Sequence, residues 1–462
     1  MRNALTRREM LKRLGIGGSA IGAGMLAGRG LSDEVTDGDP DYPAFARNVR
    51  LVQPTTVDGP SAFIENGKIM QPAREIPLFH TADVVVVGGG FAGVCAAVAA
   101  ARAGASVALV ERYGSLGGLF TNGMVLIVIG TGERVNGEFK LVTRGLCEEF
   151  LRRLEGKGDG AIICRDPKVY QPTVDPEAAK VLMDEMVQEA GVEMLFHAWG
   201  VDVIQDGKNV RGVVFESKQG RQAILSKNVI DASGDGDVFH QAGESYEQIS
   251  HAMGFVYRIG NYDRIDKSKA PKDVKLRLGS IEPNKSARWV NNLGPRGNGL
   301  DVRELSKIEM MHRKSAWDYM QRVRGTPGHE DVFLMQTTPM LGVRATRLLD
   351  GVKRIDKKSA ISGAKFSDVV AYSGDDRLKY PAFAIPYGAL LPKTVENVLV
   401  AGRCISCASD LIDRVRLIPV CGVTGHAAGV AAALAAKSGV TPRQVPVADI
   451  QKGLREQKAY LG

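Results

Sequence analysis

The residues whose types and spacing promise chemistry begin at Gly88. Gly88-Gly89-Gly90-Phe91-Ala92-Gly93 fits G-x-G-x-x-G, and Glu111 follows Gly93 by 18 residues. Each residue type in that pattern has a physical job. Gly88 permits a tight turn, Gly90 lets backbone approach a pyrophosphate, and Gly93 lets a helix lie close to a strand. A carboxylate at Glu111 accepts hydrogen bonds from ribose hydroxyls and repels a 2′-phosphate. The pattern is that of a dinucleotide site, and a merely structural glycine turn would leave Glu111 unexplained.

Such residues need a strand, a helix and a second strand to hold them. Residues 83–87 close on four consecutive valines, as expected of a strand buried on both faces of a parallel sheet. Residues 94–103 are almost all small and predict a helix that packs tightly. Gly104 ends it, and residues 106–110 predict the strand that delivers Glu111. The helix N-terminus then presents unpaired N–H groups and a partial positive charge to phosphates.

A second glycine pair, Gly117-Gly118, follows Glu111 closely. Plain nicotinamide-dinucleotide folds have no need of it, whereas a chain passing the ribityl region of a flavin does. A late buried strand ends in Ala401-Gly402-Arg403, and a helix of small residues follows around 426–433, its N-terminal end suited to negative charge on a reduced flavin ring. Together with "VIDASGDGDV" and "GVRATR", these segments resemble the bacterial FAD-dependent oxidoreductases of the FAD_oxidored type, relatives of the glutathione-reductase and fumarate-reductase flavoproteins. The resemblance covers about residues 80–445, with the middle third matching least.

The resemblance implies FAD contacts at Gly88, Gly90, Gly93, Glu111, Arg112, Gly117, Gly118 and Thr121. It implies Val201 beside the adenine, Ala232, Ser233, Gly234 and Asp235 closing the nucleotide site, and Gly402 and Arg403 at the late flavin-contacting strand. Family members often carry a His soon after "GRCIS". Here the stretch is Cys407-Ala408-Ser409-Asp410, so no role resting on that His carries over. Nor does a His flank Gly117-Gly118, where fumarate-reductase relatives attach flavin covalently, so FAD is expected to be held non-covalently.

The fold expected is α/β, a discontinuous Rossmann-type FAD-binding domain of the glutathione-reductase (GR2-like) kind with an inserted substrate or cap domain. Residues 1–30 are assigned to a leader, 31–79 to a linker or arm and 80–244 to the first part of the FAD domain. Residues 245–375 form the cap, 376–440 the rest of the FAD domain, and 441–462 a tail with a helix over 447–458.

Hydride exchange with flavin N5 needs cations to hold an anionic oxygen and a group to move a proton. Arg344, Arg347, Arg414 and Arg416 are the candidate cations, with Arg416 first because it precedes the final helix, where the resemblance to fumarate-reductase relatives implies an Arg near substrate and flavin. His251, Tyr387 and His329 are the candidate proton carriers, ahead of Tyr257 and Tyr262. Any one of these can equally be a packing residue or a structural ion pair. The favoured reading is an oxidoreductase acting on a small polar metabolite, an organic acid or sugar derivative. No second nucleotide fingerprint is present, so a quinone or redox protein is the expected electron acceptor. Two other readings stay open: a redox-neutral flavin isomerase or lyase, and a non-catalytic FAD-containing binding protein.

Thr6-Arg7-Arg8-Glu9-Met10-Leu11-Lys12 resembles the twin-arginine export consensus, and a short apolar run over 14–27 follows. The twin-arginine translocase and the periplasm are the expected partner and destination, with tethering to the membrane if the leader is kept. The first thirty residues hold six basic residues against Glu9 alone, most of the +8 formal charge, so no nucleic-acid partner is expected. The six cysteines show no metal spacing. A Cys404–Cys407 disulfide fits an oxidising compartment, and Cys95 should be buried and inert.

Overall fold

The computed structural model describes residues 62–158, 160–164, 166, 168–375 and 381–462. The leader and most of the arm lie outside the described residues. The chain divides into two units, 1–74 and 75–462. Of the first, a hairpin is described, β1 (Phe63–Glu65) with β2 (Lys68–Met70). Asn66 and Gly67 both take positive φ at its tip, the backbone that a two-residue hairpin turn favours.

The second unit opens with β3 (Leu78–Val87), α1 (Phe91–Arg102) and β4 (Val107–Val110), the βαβ unit expected from the valines and glycines. Next come α2 (Leu146–Glu155), α3 (Pro176–Glu189), the strand β5 (Glu193–Leu195), which pairs with β4, and a meander of β6 (Trp199–Asp206), β7 (Asn209–Ser217) and β8 (Gly220–Asp231). The seven-stranded sheet runs β6-β7-β8-β3-β4-β5, with a late strand, residues 398–400, joining β8. Strand β8 is long enough to pair antiparallel with β7 at its start and parallel with β3 and the late strand at its end. Val84, Val85 and Val86 are fully buried, as strands covered on both faces require.

A second sheet forms around β9 (His251–Gly260), flanked by β10 (Arg288–Asn292) and β11 (Phe333–Thr337). Helix α4 (Val302–Arg324) packs on it through Ile308, Ala316, Met320 and Val323, with the Asp301 side chain accepting from the N–H groups of Arg303 and Glu304. This sheet meets the first part of the unit where Val256 and Trp289 pack on Met124 and Leu126. The chain leaves it before residue 375: Arg347–Leu349 pairs with Tyr246–Gln248, and Val369–Ser373 pairs with Phe383–Pro386.

After β12 (Val398–Val400), helix α5 (Ile418–Ser438) crosses the core and α6 (Val447–Glu456) closes the chain on Ile450 and Leu454. Helix α5 is apolar and long enough to cross a membrane, but 83% of its most apolar window is buried in the fold. It lies against α1 because it is built of small residues. A Cβ on Gly425 would fall 2.0 Å from the Ala92 carbonyl oxygen, and one on Gly429 2.2 Å from that of Ala96.

His426 of α5 is buried beside Gly145, its Nε2 3.0 Å from Gln457 Oε1. Burial pushes its ring down from 6.5 to about 4. Above about 6.5 both folded and unfolded chains hold it neutral, and below that only the unfolded chain gains the proton. Stability is therefore lost as pH falls from about 6.5 to about 4, by up to about 3 kcal/mol. Urea melts near neutral pH and near pH 4.5 should show a smaller loss in His426→Asn than in the parent. An equal loss in both would remove His426 from the acid response.

Candidate functional site

Strands β3, β4 and β8 end side by side, and a groove open to solvent lies beyond them, lined by residues of all three strand ends. The glycine turn forms its floor. Gly88 has φ +100°, and a Cβ there would lie 2.5 Å from the Ala232 carbonyl oxygen. A Cβ on Gly93 would lie 1.8 Å from the Gly88 carbonyl oxygen, so Gly93 serves the fit of helix to strand. Gly90 differs: its φ of −63° suits any residue, and a Cβ there would meet nothing within 4 Å. Its missing side chain keeps open the groove, not a packing contact.

Gly90 is also the N-cap of α1, which has no side-chain cap and no acid in its first turn. The N–H groups of that turn are thus left to an anion. The second glycine loop runs against the first, with Gly117 N–H donating to the Gly89 carbonyl at 2.8 Å. Helix α5 starts at the other end of the groove, also without a side-chain cap or first-turn acid, and its Ile418 and Cys421 line the wall. Two positive helix ends therefore face one groove, a fit to a pyrophosphate at one and an electron-rich ring at the other.

Glu111, 5% exposed, accepts from Gly89 N–H at 2.6 Å and Tyr113 N–H at 2.8 Å. Burial raises its carboxyl, and those two N–H groups work in the opposite direction. Beside it, Arg112 stacks near Tyr113 and Trp199, at 5.1 and 5.9 Å from the ring centroids. Midway along the groove Arg403 donates from Nε to the Gly234 carbonyl and from Nη2 to Asp235, both at 2.7 Å.

At the far end Arg416 lines the groove with Met340, Ile418 and Cys421. Asp413 Oδ1 accepts from Arg416 Nη2 at 2.6 Å and Nε at 2.9 Å, and lies 3.2 Å from His251 Nε2. Burial alone would raise the Asp413 carboxyl, but Arg416, His251 and Arg344 hold it below its ordinary value. Arg344 is half-buried and reaches the Ala252 carbonyl at 3.4 Å. Three of the candidate residues, Arg416, Arg344 and His251, thus share one cluster, bound by an aspartate that the sequence reading did not single out. The signal was available: Asp413 stands three residues before Arg416, the spacing of an ion pair on one helical turn.

Other expected residues sit elsewhere. Tyr387 is buried outside the groove lining, its hydroxyl donating to the Pro442 carbonyl at 2.8 Å, and burial pushes its phenol far up. Arg347 is a bracing residue, donating to Asp237 at 3.0 Å and to the Asp235 carbonyl at 2.9 Å. Arg414 pairs with Asp375 at 3.3 Å, and His329 is buried beside the Pro327 carbonyl. Val201 is the extra residue of a bulge between Gly200 and Asp202, and Ala198, Trp199 and Gly200 line the groove in its place. Gly93, Thr121 and Asp235 stand behind the lining. The Thr121 hydroxyl donates to the Leu116 carbonyl, and Asp235 orients Arg403. Gly88, Gly90, Glu111, Arg112, Gly117, Gly118, Ala232, Ser233, Gly234, Gly402 and Arg403 all face the groove. Cys404 and Cys407 are free buried thiols with no disulfide between them, and Cys95 is a buried free thiol. Among the described residues no His, Cys, Asp and Glu group suits a metal ion.

The model of the family described as FAD dependent oxidoreductase matches residues 83–454. No curated protein matches the chain significantly. Among solved structures, the chain is similar to a geranylgeranyl bacteriochlorophyll reductase-like protein from Thermoplasma acidophilum, at 17% identity and TM-score 0.43, covering 82% of this chain and 84% of that one. It is similar to the p-nitrophenol 4-monooxygenase PnpA from Pseudomonas putida DLL-E4, at 14% identity and TM-score 0.42, covering 81% and 83%.

Gly90 offers a clean test of the groove. Gly90→Val should leave the melting temperature of cofactor-free protein within a few degrees of the parent while abolishing visible flavin absorbance. A Gly90→Val protein that retains stoichiometric flavin would place the cofactor elsewhere.

Proposed function

From the premise that the chain belongs to the FAD dependent oxidoreductase family, we propose that it oxidises or reduces a small polar metabolite at the Arg416 end of the groove. FAD is its cofactor, and when bound it supplies the acceptor or donor of a hydride. The Gly88–Gly93 turn and the N-terminus of α1 hold the pyrophosphate, Glu111 the ribose, and Arg112 with Trp199 the adenine. The attachment is non-covalent. The observation that carries the reading is the position of Arg416, a guanidinium on the groove wall beside the bare N-terminus of α5. There it holds an oxygen that gains negative charge as the substrate reacts, and His251, outside the lining but tied to the same aspartate, is the proposed proton carrier.

A quinone or a redox protein is the proposed electron partner, supported by the single nucleotide fingerprint in the sequence. The pattern over residues 6–12 supports export through the twin-arginine translocase to the periplasm, after folding around the cofactor.

The purified full chain should be yellow and should release free FAD on denaturation, which visible spectra before and after would record. Its colour should bleach anaerobically with a substrate among small organic acids or sugar derivatives. Arg416→Met should keep FAD but slow that bleaching roughly 10²–10³-fold in stopped flow, the usual cost of removing one oxyanion donor. A colourless chain that cannot be reconstituted with FAD would overturn the reading, and an unslowed Arg416→Met would remove Arg416 from the reaction.

A further inference from the structure

The cluster at the ring end is short of negative charge. Two guanidiniums, Arg344 and Arg416, share one carboxylate, Asp413, whose Oδ1 alone accepts from Arg416 and faces His251. Among the described residues, Arg416 Nη1 finds no acceptor, and Arg344 has only the 3.4 Å contact to the Ala252 carbonyl. His251 Nδ1 is buried without a partner. Burial, then repulsion from Arg416, pulls the Arg344 guanidinium below its ordinary value, and the attraction of Asp413 does not offset them. The two buried arginines, Arg403 and Arg258, each hold a carboxylate, Asp235 and Glu282.

We propose that Arg344, Arg416 and His251 form an anion subsite, and that the substrate is a carboxylate whose acid group docks there. This rests on the preceding reading of the groove as the site of substrate oxidation or reduction, and it narrows a small polar metabolite to an acid. A carboxylate matches the planar donor fork of a guanidinium and supplies the missing charge. Arg416 is the group shared between docking and reaction. Arg344 touches no groove wall and acts from behind, on the acid group and on the balance of Arg416 and Asp413. Asp413 has a side chain 64% exposed, so the cluster opens to solvent and an acid can enter from there.

The test uses the FAD-loaded full chain and three probes, oxalate, malonate and neutral malonamide, at ionic strength matched with chloride. Oxalate or malonate should perturb the visible flavin spectrum saturably, and malonamide should not. Arg344→Met should weaken the carboxylate roughly 10–100-fold with FAD retained, and Arg344→Lys should recover part of that loss. His251→Gln should weaken it less. Dithionite bleaching and FAD content, measured on the same samples, separate the two readings. A chain without FAD fails the proposed function. A chain that holds reducible FAD yet ignores both acids, or binds them equally in Arg344→Met, overturns the anion subsite alone.

Discussion

The contact on which the site depends is the close approach of α1 and α5. Gly422, Gly425 and Gly429 lie where any Cβ would strike Phe91, the Ala92 carbonyl or the Ala96 carbonyl, and the facing helix answers with alanines. Small residues on both sides let the backbones nearly touch, which maximises dispersion contacts along the whole interface. Such packing fixes the two axes relative to each other, and so fixes where both helices begin. Their N-termini then open on a single groove. The Gly402 turn is pinned to the same helix, its N–H donating to Thr424 Oγ1 at 3.0 Å. A change of one methyl in this interface would move the walls of the site as well as cost stability, since overpacking a tight core typically costs about 1–3 kcal/mol.

Strand β8 does for the sheet what the helix pair does for the layer above it. Its end carries Asp231, whose carboxylate accepts from Ser233 and from the N–H groups of Val238 and Phe239. That arrangement sets the loop over 232–237 beside the Gly88 turn. From this loop Asp235 and Asp237 reach Arg403, Thr346 and Arg347. The loop is therefore braced by the chain that leaves the second sheet, while that sheet packs on Met124 and Leu126 through Val256 and Trp289.

The parts of this site legible in the sequence are those whose cause is local. A glycine turn, a valine strand and an acid after the next strand are dictated by backbone geometry within thirty residues, and the structure places them as that geometry requires. Val201, expected beside the adenine, is the extra residue of a bulge, while Trp199 and Gly200 line the groove, and a bulge depends on pairing with β7. Tyr387 looks the same in sequence whether its hydroxyl meets a substrate or the Pro442 carbonyl, 55 residues on. Arg344 and Arg347 stand three apart in one motif, yet one joins the Arg416 cluster and the other braces Asp237. Only tertiary partners divide them, and those lie more than 65 residues away in either direction.

The same logic distinguishes two ion pairs that are chemically alike. Arg403–Asp235 and Arg416–Asp413 close at 2.7 and 2.6 Å, and both arginines line one groove. In the first, the side chains are 9% and 14% exposed; in the second, 26% and 64%. A buried pair is costly to break, about 3–5 kcal/mol when one partner is lost, because a stranded charge remains. An open pair is worth about 1 kcal/mol or less, because water can take either partner's place. Arg403 is consequently fixed, as suits a residue beside a cofactor that stays. Arg416 can exchange Asp413 for another partner at little cost. Exposure, more than residue type, sets which arginine holds and which one responds.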